Sequence, residues 1–96
     1  MKIEFSKSES ILTVALEGRL DTNTSPELEN FLCENCCGIN SLVLDCDRLT
    51  YVSSAGLRVL LSTQKKMKNN LKLTNVNEVV MEVFEITGFI DILTIE

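Results

Sequence analysis

Two adjacent serines ahead of a small residue and a glycine, Ser53-Ser54-Ala55-Gly56, are the groups in this chain best placed for chemistry. Leu49 to Val52, loop-like or extended, leads into them. Leu57, Leu60 and Leu61 then follow at helical spacing, carrying a helix to about Met67. The serines therefore stand where an apolar segment hands over to a helix. A hydroxyl at that point can cap the unpaired N–H groups of the first turn. The same N–H groups, with the positive end of the helix dipole, also accept a phosphate. Phosphorylation adds roughly −1.5 to −2 charges at one point. Gly56 keeps the turn free of bulk where another backbone approaches.

The other candidate groups carry less. Histidine is absent from the 96 residues. That removes Ser-His-Asp and Cys-His catalysis, His-dependent zinc sites and His-based pH sensing. The cysteines are Cys33, Cys36, Cys37 and Cys46. Cys33-x-x-Cys36 has half of a zinc or redox spacing, but no second ligand pair accompanies it. It also falls at a helix end, whereas a thioredoxin-type pair opens a helix. These cysteines are expected to be free thiols packed as small hydrophobes. Leu42-Val43-Leu44-Asp45-Cys46-Asp47 is an apolar strand followed by Asp-x-Asp. This resembles the nucleophile motif of haloacid-dehalogenase-type phosphatases, which use the first Asp and a Mg²⁺. Leu49 stands where those enzymes have Thr or Val, and the chain is too short for their fold. The two acids are expected at a strand end, solvated or capping a turn.

Composition narrows the class further. Ninety-six residues make one domain, spanning 1–96, and 45% hydrophobic content supports a modest core. Aromatics are 5% and Trp is absent, so that core must be mostly Leu, Ile and Val. Nine Lys and Arg against 14 Asp and Glu give a net charge of −5, the wrong sign for a nucleic-acid footprint. The N-terminus has no apolar signal-peptide core, and no run approaches the roughly 18 apolar residues of a membrane span. The expectation is a soluble, cytoplasmic, acidic binding protein without catalysis of its own.

The elements that position the serines alternate. Lys2 to Phe5 and Ile11 to Leu16 suit strands, joined by a turn at Ser8-Glu9-Ser10. The second strand is expected to be covered on both sides and to end at Gly18. Thr24 and Glu27 have capping-box spacing around Pro26, and Leu28, Phe31 and Leu32 give the helix an apolar face. Gly38 is a plausible stop. Leu42 to Leu44 suits a short buried central strand. Lys65, Lys66 and Lys68 complement the dipole at the end of the serine-led helix, which Asn69-Asn70 breaks. Leu71 to Leu73 is a further strand. Asn77 caps a third helix with Val80, Val83 and Phe84 on one face and Gly88 just past its end. Ile90 to Ile95 closes the chain as a strand or a short helix. Alternating strands and helices point to an α/β layer structure with a largely parallel or mixed sheet.

Three separated segments then agree on one family. Asp47-Arg48-Leu49-Thr50-Tyr51-Val52-Ser53-Ser54-Ala55-Gly56-Leu57-Arg58-Val59-Leu60-Leu61 resembles the signature of STAS domains, most closely that of bacterial anti-sigma factor antagonists. Gly18-Arg19-Leu20-Asp21-Thr22-Asn23-Thr24-Ser25-Pro26-Glu27 resembles their loop and first helix. Val83-Phe84 through Thr87-Gly88-Phe89 resembles their last helix and the glycine after it. The resemblance implies a mixed sheet of four to five strands with helices packed mainly on one face.

It also implies a job. Unphosphorylated antagonists of this family bind an anti-sigma factor that is itself a GHKL-type serine kinase. Phosphorylation of one serine switches binding off, and a PP2C-type phosphatase restores it. That serine maps onto Ser54, with Ser53 the alternative acceptor; many members carry Asp where this chain has Ser53. The family's loop acid maps onto Asp21, whose competing reading is a turn or capping residue. The resemblance places Asp21, Thr22, Asn23, Ser53, Ser54, Ala55, Gly56 and Arg58 at the partner surface. Arg58, one turn after Ser54, is positioned to meet the partner or a phosphate on Ser54. No cofactor is implied, since nucleotide binds the kinase, and the family default is a monomer. Other STAS domains serve as scaffolds or transport-complex subunits, which is the alternative use of the same fold.

Overall fold

The computed structural model describes residues 1–35, 38–68 and 70–96. Alternation of apolar and polar residues builds the first hairpin. β1 (Lys2–Ser8) pairs antiparallel with β2 (Ile11–Leu20), from Lys2 against Glu17 to Ser8 against Ile11. Glu9 turns the corner with a left-handed backbone, φ 56°. The remaining order is α1 (Ser25–Asn35), β3 (Ser41–Val52), α2 (Ser54–Lys66), β4 (Leu71–Thr74), α3 (Glu78–Thr87), a 3₁₀ turn (Phe89–Asp91) and β5 (Thr94–Ile95). The five-stranded sheet runs β1-β2-β3-β4-β5, parallel from β2 onward. The closing segment holds both of its expected forms, a short helix and then a strand.

Leu12, Val14 and Leu16 of β2, Leu42 and Leu44 of β3, and Leu71 and Leu73 of β4 all point to one face and are buried. Leu28 and Leu32 of α1, Leu57 and Leu60 of α2, and Val80 and Phe84 of α3 complete that core. Burying each such side chain is worth about 1.5–3 kcal/mol. Thr13, Ala15 and Val43 on the other face are only half-buried, and Lys72 is exposed. The helices thus cover one face, and the expectation of a β2 covered on both sides is corrected.

β3 is one strand of 12 residues, not a short strand and a separate extended stretch, and it needs those residues to pair with the 10 of β2. Its register against β2 shifts twice, between Ala15 and Glu17 and between Gly18 and Arg19. Each bulge adds a residue on β3, so its buried positions step from Leu44 and Cys46 to Leu49 and then Val52. Gly18 adopts φ +106° at this irregularity, so β2 passes through it and continues to Leu20. Asp45 and Asp47 consequently lie inside a strand and not at its end. The Asp45 carboxylate accepts from the Asp47 N–H at 3.1 Å and from the Asn75 amide at 3.0 Å.

The cysteines divide by environment. Cys46 is buried, and burial, with the Asp45 charge adding to it, pushes its thiol up to about 12. Cys33 is exposed, against the expectation of packing, because it lies off the buried line of Leu28 and Leu32. Its sulfur accepts from the Lys66 ammonium at 3.7 Å. Cys36 and Cys37, and with them the Cys33-x-x-Cys36 spacing, lie outside the described residues, as does Asn69. Iodoacetamide at neutral pH is expected to label Cys33 in the folded protein and to spare Cys46 until denaturant is added. Peptide mass mapping checks this, and rapid native labelling of Cys46 would contradict its placement.

Candidate functional site

The end of β3 and the start of α2 are held by the end of β2. The Leu20 carbonyl accepts from the Ser53 N–H at 2.8 Å. A Cβ on Gly56 would stand 2.8 Å from the Leu20 Cγ and 2.9 Å from the Leu20 carbonyl oxygen. The backbone that approaches Gly56 is therefore the chain's own. Gly56 is buried, so it shapes the surface by letting α2 sit against β2 and offers a partner no side chain.

The two serines have different work. Ser53 has an extended backbone (φ −94°, ψ 176°), and its hydroxyl oxygen accepts from the Gly56 N–H at 3.4 Å, which makes it the N-cap. Ser54 is the first residue of α2 and is exposed. Among the described residues nothing hydrogen-bonds its hydroxyl. No acidic residue occupies the first turn of α2, so the helix itself sets no like charge against an anion on Ser54.

The adjoining loop is built around Asp21. Its carboxylate accepts from the Asn23 N–H at 3.0 Å and the Thr24 N–H at 3.1 Å. These bonds, that from Thr24 foremost, hold the Asp21 carboxyl below its ordinary value, with the Arg19 charge assisting. The Thr24 hydroxyl donates to the Arg19 carbonyl at 2.6 Å and accepts from the Asp21 N–H at 2.9 Å. It is turned back into the loop, so the expected capping box with Glu27 gives way to this network. The Arg19 guanidinium stands 3.7 Å from the Asp21 carboxylate and 4.4 Å from the centre of the Tyr51 ring. That contact spans the bulged pairing of Arg19 with Tyr51.

A shallow groove of about 210 Å³ joins loop and helix. It draws Thr22, Ala55 and Arg58 together with Pro26 and Glu29. Thr22, Asn23, Ser54 and Arg58 are exposed, while Asp21, Ser53 and Ala55 are half-buried. Asp21, Asn23 and the two serines do not line that groove. Leu20, Arg19, Tyr51 and Glu29 join the site without a residue-type signal. Leu20 acts through its carbonyl, Arg19 and Tyr51 meet through strand register, and Glu29 reaches the groove from α1. Among the described residues no group of three or more His, Cys, Asp or Glu could hold a metal, and no helix is long and apolar enough to cross a membrane.

The family model for the STAS domain matches residues 2–96. The chain belongs to the STAS domain family. Its relatives there include BtrV of Bordetella bronchiseptica, named an anti-sigma factor antagonist, at 36% identity over 99% of this STAS chain and 85% of the relative. The anti-sigma-B factor antagonist of Staphylococcus aureus is 29% identical over 97% of this chain and 90% of its own length. Solved structures share the fold. An anti-sigma factor antagonist of Thermotoga maritima superposes with a TM-score of 0.88 at 16% identity, over 97% of this chain and 84% of its own. The phosphorylated form of the Bacillus cell-fate determinant SpoIIAA superposes at 0.75 with 14% identity, over 99% and 91%. The five-stranded mixed sheet with helices on one face is thus the STAS fold.

Asp21 offers a direct check on how the loop is held. A carboxyl whose value is lowered by folding contributes above the unfolded value and loses that contribution as pH falls through the lower, folded one. The Asn23 and Thr24 amide resonances are therefore expected to move at a lower pH than those beside an unperturbed aspartate. In Asp21→Ala the same two amides are expected to exchange with solvent at least about tenfold faster, while α2 amides keep their protection. Amide NMR reads both effects. Unchanged Asn23 and Thr24 exchange in Asp21→Ala would contradict the loop geometry.

Proposed function

We propose that this STAS domain is an anti-sigma factor antagonist working by partner switching. Its unphosphorylated form binds an anti-sigma factor that is a GHKL-type serine kinase and so releases that factor's target. The kinase transfers the γ-phosphoryl group of ATP to the Ser54 hydroxyl oxygen, and ADP and a proton leave. The phosphorylated surface no longer holds the kinase. A PP2C-type phosphatase hydrolyses the ester and returns the serine. The domain itself supplies a shaped surface and an acceptor, acting from the cytoplasm as a monomer.

The single observation that carries this reading is the division of labour between the serines. Ser53 oxygen is engaged as the helix cap, while Ser54 presents an exposed hydroxyl at the first position of α2. A phosphate there is tolerated by the fold, because helix N-termini favour anions. Its effect then falls on whatever approaches the surface. Asp21, Thr22, Asn23 and Arg58 lie in the loop and on the helix that flank this point, and in this reading they frame the contact.

The test is a pull-down with unphosphorylated protein, followed by incubation of the captured kinase with ATP and intact-mass measurement. The expected result is one phosphate, mapped by peptide fragmentation to Ser54. A phosphate on Ser53 or Thr50 would overturn the acceptor, and capture of no kinase would overturn the function.

A further inference from the structure

Of the six large apolar side chains exposed among the described residues, Val79 and Ile86 stand out on α3, at 59% and 77% exposure. With half-buried Val83 they form a row at i, i+4 and i+7. Glu78, Glu82 and Glu85 form a second row at the same spacing, one residue behind the first, and all three are exposed. α3 contains no basic residue, and among the described residues no salt bridge engages these three acids. Beyond the acidic row lies a shallow groove of about 270 Å³ with Val76 and Met81 in its wall.

Val83 packs against the core and Glu78 suits the dipole in the first turn, but exposed Val79 and Ile86 do nothing for the core, and like charges at i, i+4 destabilise an isolated helix. The inner face, Val80 and Phe84, already anchors α3 to the sheet. An apolar row edged by unpaired carboxylates is the complement of a helix that carries an apolar row edged by Lys and Arg. A second copy of this chain is a poor occupant, since it brings the same acidic row and a net charge of −5. An anionic lipid surface or a nucleic acid meets the same repulsion.

We infer that the outer face of α3 docks a basic amphipathic helical segment of a protein partner, independently of the phosphorylation state of Ser54. The surface lies on a different element from the serine and stands whether or not the partner-switching reading holds. Val79 and Ile86 enter the segment's apolar row, while Glu78, Glu82 and Glu85 pair with its Lys or Arg side chains.

The test uses the full chain, isotope-labelled, titrated with a synthetic amphipathic Leu/Lys helical peptide and with its Leu/Glu counterpart. The Leu/Lys peptide is expected to bind, with amide shifts concentrated on Glu78 to Thr87, and the Leu/Glu peptide to bind at least about tenfold more weakly. Ile86→Ser leaves the charge unaltered and is expected to weaken Leu/Lys binding by about tenfold or more. Glu82→Lys is expected to weaken it similarly, and Ser54→Asp to leave it unchanged. Thermal melts should show all three variants folded; Val79→Ser replaces Ile86→Ser should the latter melt early. Equal binding of the two peptides, shifts located elsewhere, or full binding by Ile86→Ser would overturn the proposal. So would a dimer in sedimentation, or binding to phosphatidylglycerol vesicles, that Ile86→Ser abolishes.

Discussion

Ser54→Asp is expected to weaken capture of the anti-sigma kinase by roughly two orders of magnitude, whereas Ser54→Ala captures it and takes up no phosphate. The size follows from the cost of charge at the centre of a contact. Repulsion and desolvation of a buried interfacial anion amount to a few kcal/mol, and each 1.4 kcal/mol is tenfold in affinity. The geometry keeps the variants clean. Ser53 remains the cap in both, since its oxygen already accepts the Gly56 N–H. Asp at the first helical position suits the dipole, and Ala suits the helix, so neither variant is expected to lose its fold. A binding titration with the purified kinase reads the affinities, and a thermal melt shows that folding is retained. Ser54→Ala that still gains a phosphate would move the acceptor to Ser53 or Thr50. Ser54→Asp that binds as the parent does would detach the switch from this position.

The second large effect is structural and falls two residues further on. Gly56→Ala is expected to destabilise the domain by about 1–3 kcal/mol, the usual cost of forcing a methyl group into a filled space. For a domain of this size that lowers the melting temperature by roughly 4–24 °C. The collision is with backbone, because the new Cβ stands 2.9 Å from the Leu20 carbonyl oxygen as well as 2.8 Å from its Cγ. That carbonyl also receives the Ser53 N–H. Relief of the clash therefore moves the cap and, with it, Ser54. Weaker kinase capture is expected to accompany the loss of stability. Calorimetry measures the first effect. A melt identical to that of the parent would contradict the close approach of α2 and β2.

Much of this was legible in the sequence for identifiable reasons. The positions of Leu12, Val14 and Leu16 keep strict period two, and those of Val80, Val83 and Phe84 keep the helical period, so α3 and the first part of β2 read directly, while the run of β2 through Gly18 to Leu20 does not. Asn77 caps α3 through its side chain, accepting from the Val80 N–H at 2.9 Å, as its residue type suggests. β3 reads as separate pieces because two bulges shift the phase of its buried positions, and a period-two template breaks at each shift. Thr24 shows the limit of local motifs. Its spacing to Glu27 fits a capping box, yet the Arg19 carbonyl and the Asp21 N–H, both brought round by the loop, take its hydroxyl. At the candidate site, residue type and position mark Ser53 and Ser54 as cap or phosphate acceptor, whereas Asp21 and Arg58 enter through the family resemblance. No residue type marks Leu20, whose part is played by a carbonyl oxygen that every residue possesses.

The central claim is that one phosphate on Ser54 decides whether the partner is held. Calorimetric titration of the purified anti-sigma kinase with two samples tests it most directly: unmodified protein, and protein phosphorylated by that kinase with the site confirmed as Ser54. The expected result is an affinity at least about a hundredfold weaker for the phosphorylated sample, with both samples melting alike. Equal affinities for the two would contradict the account.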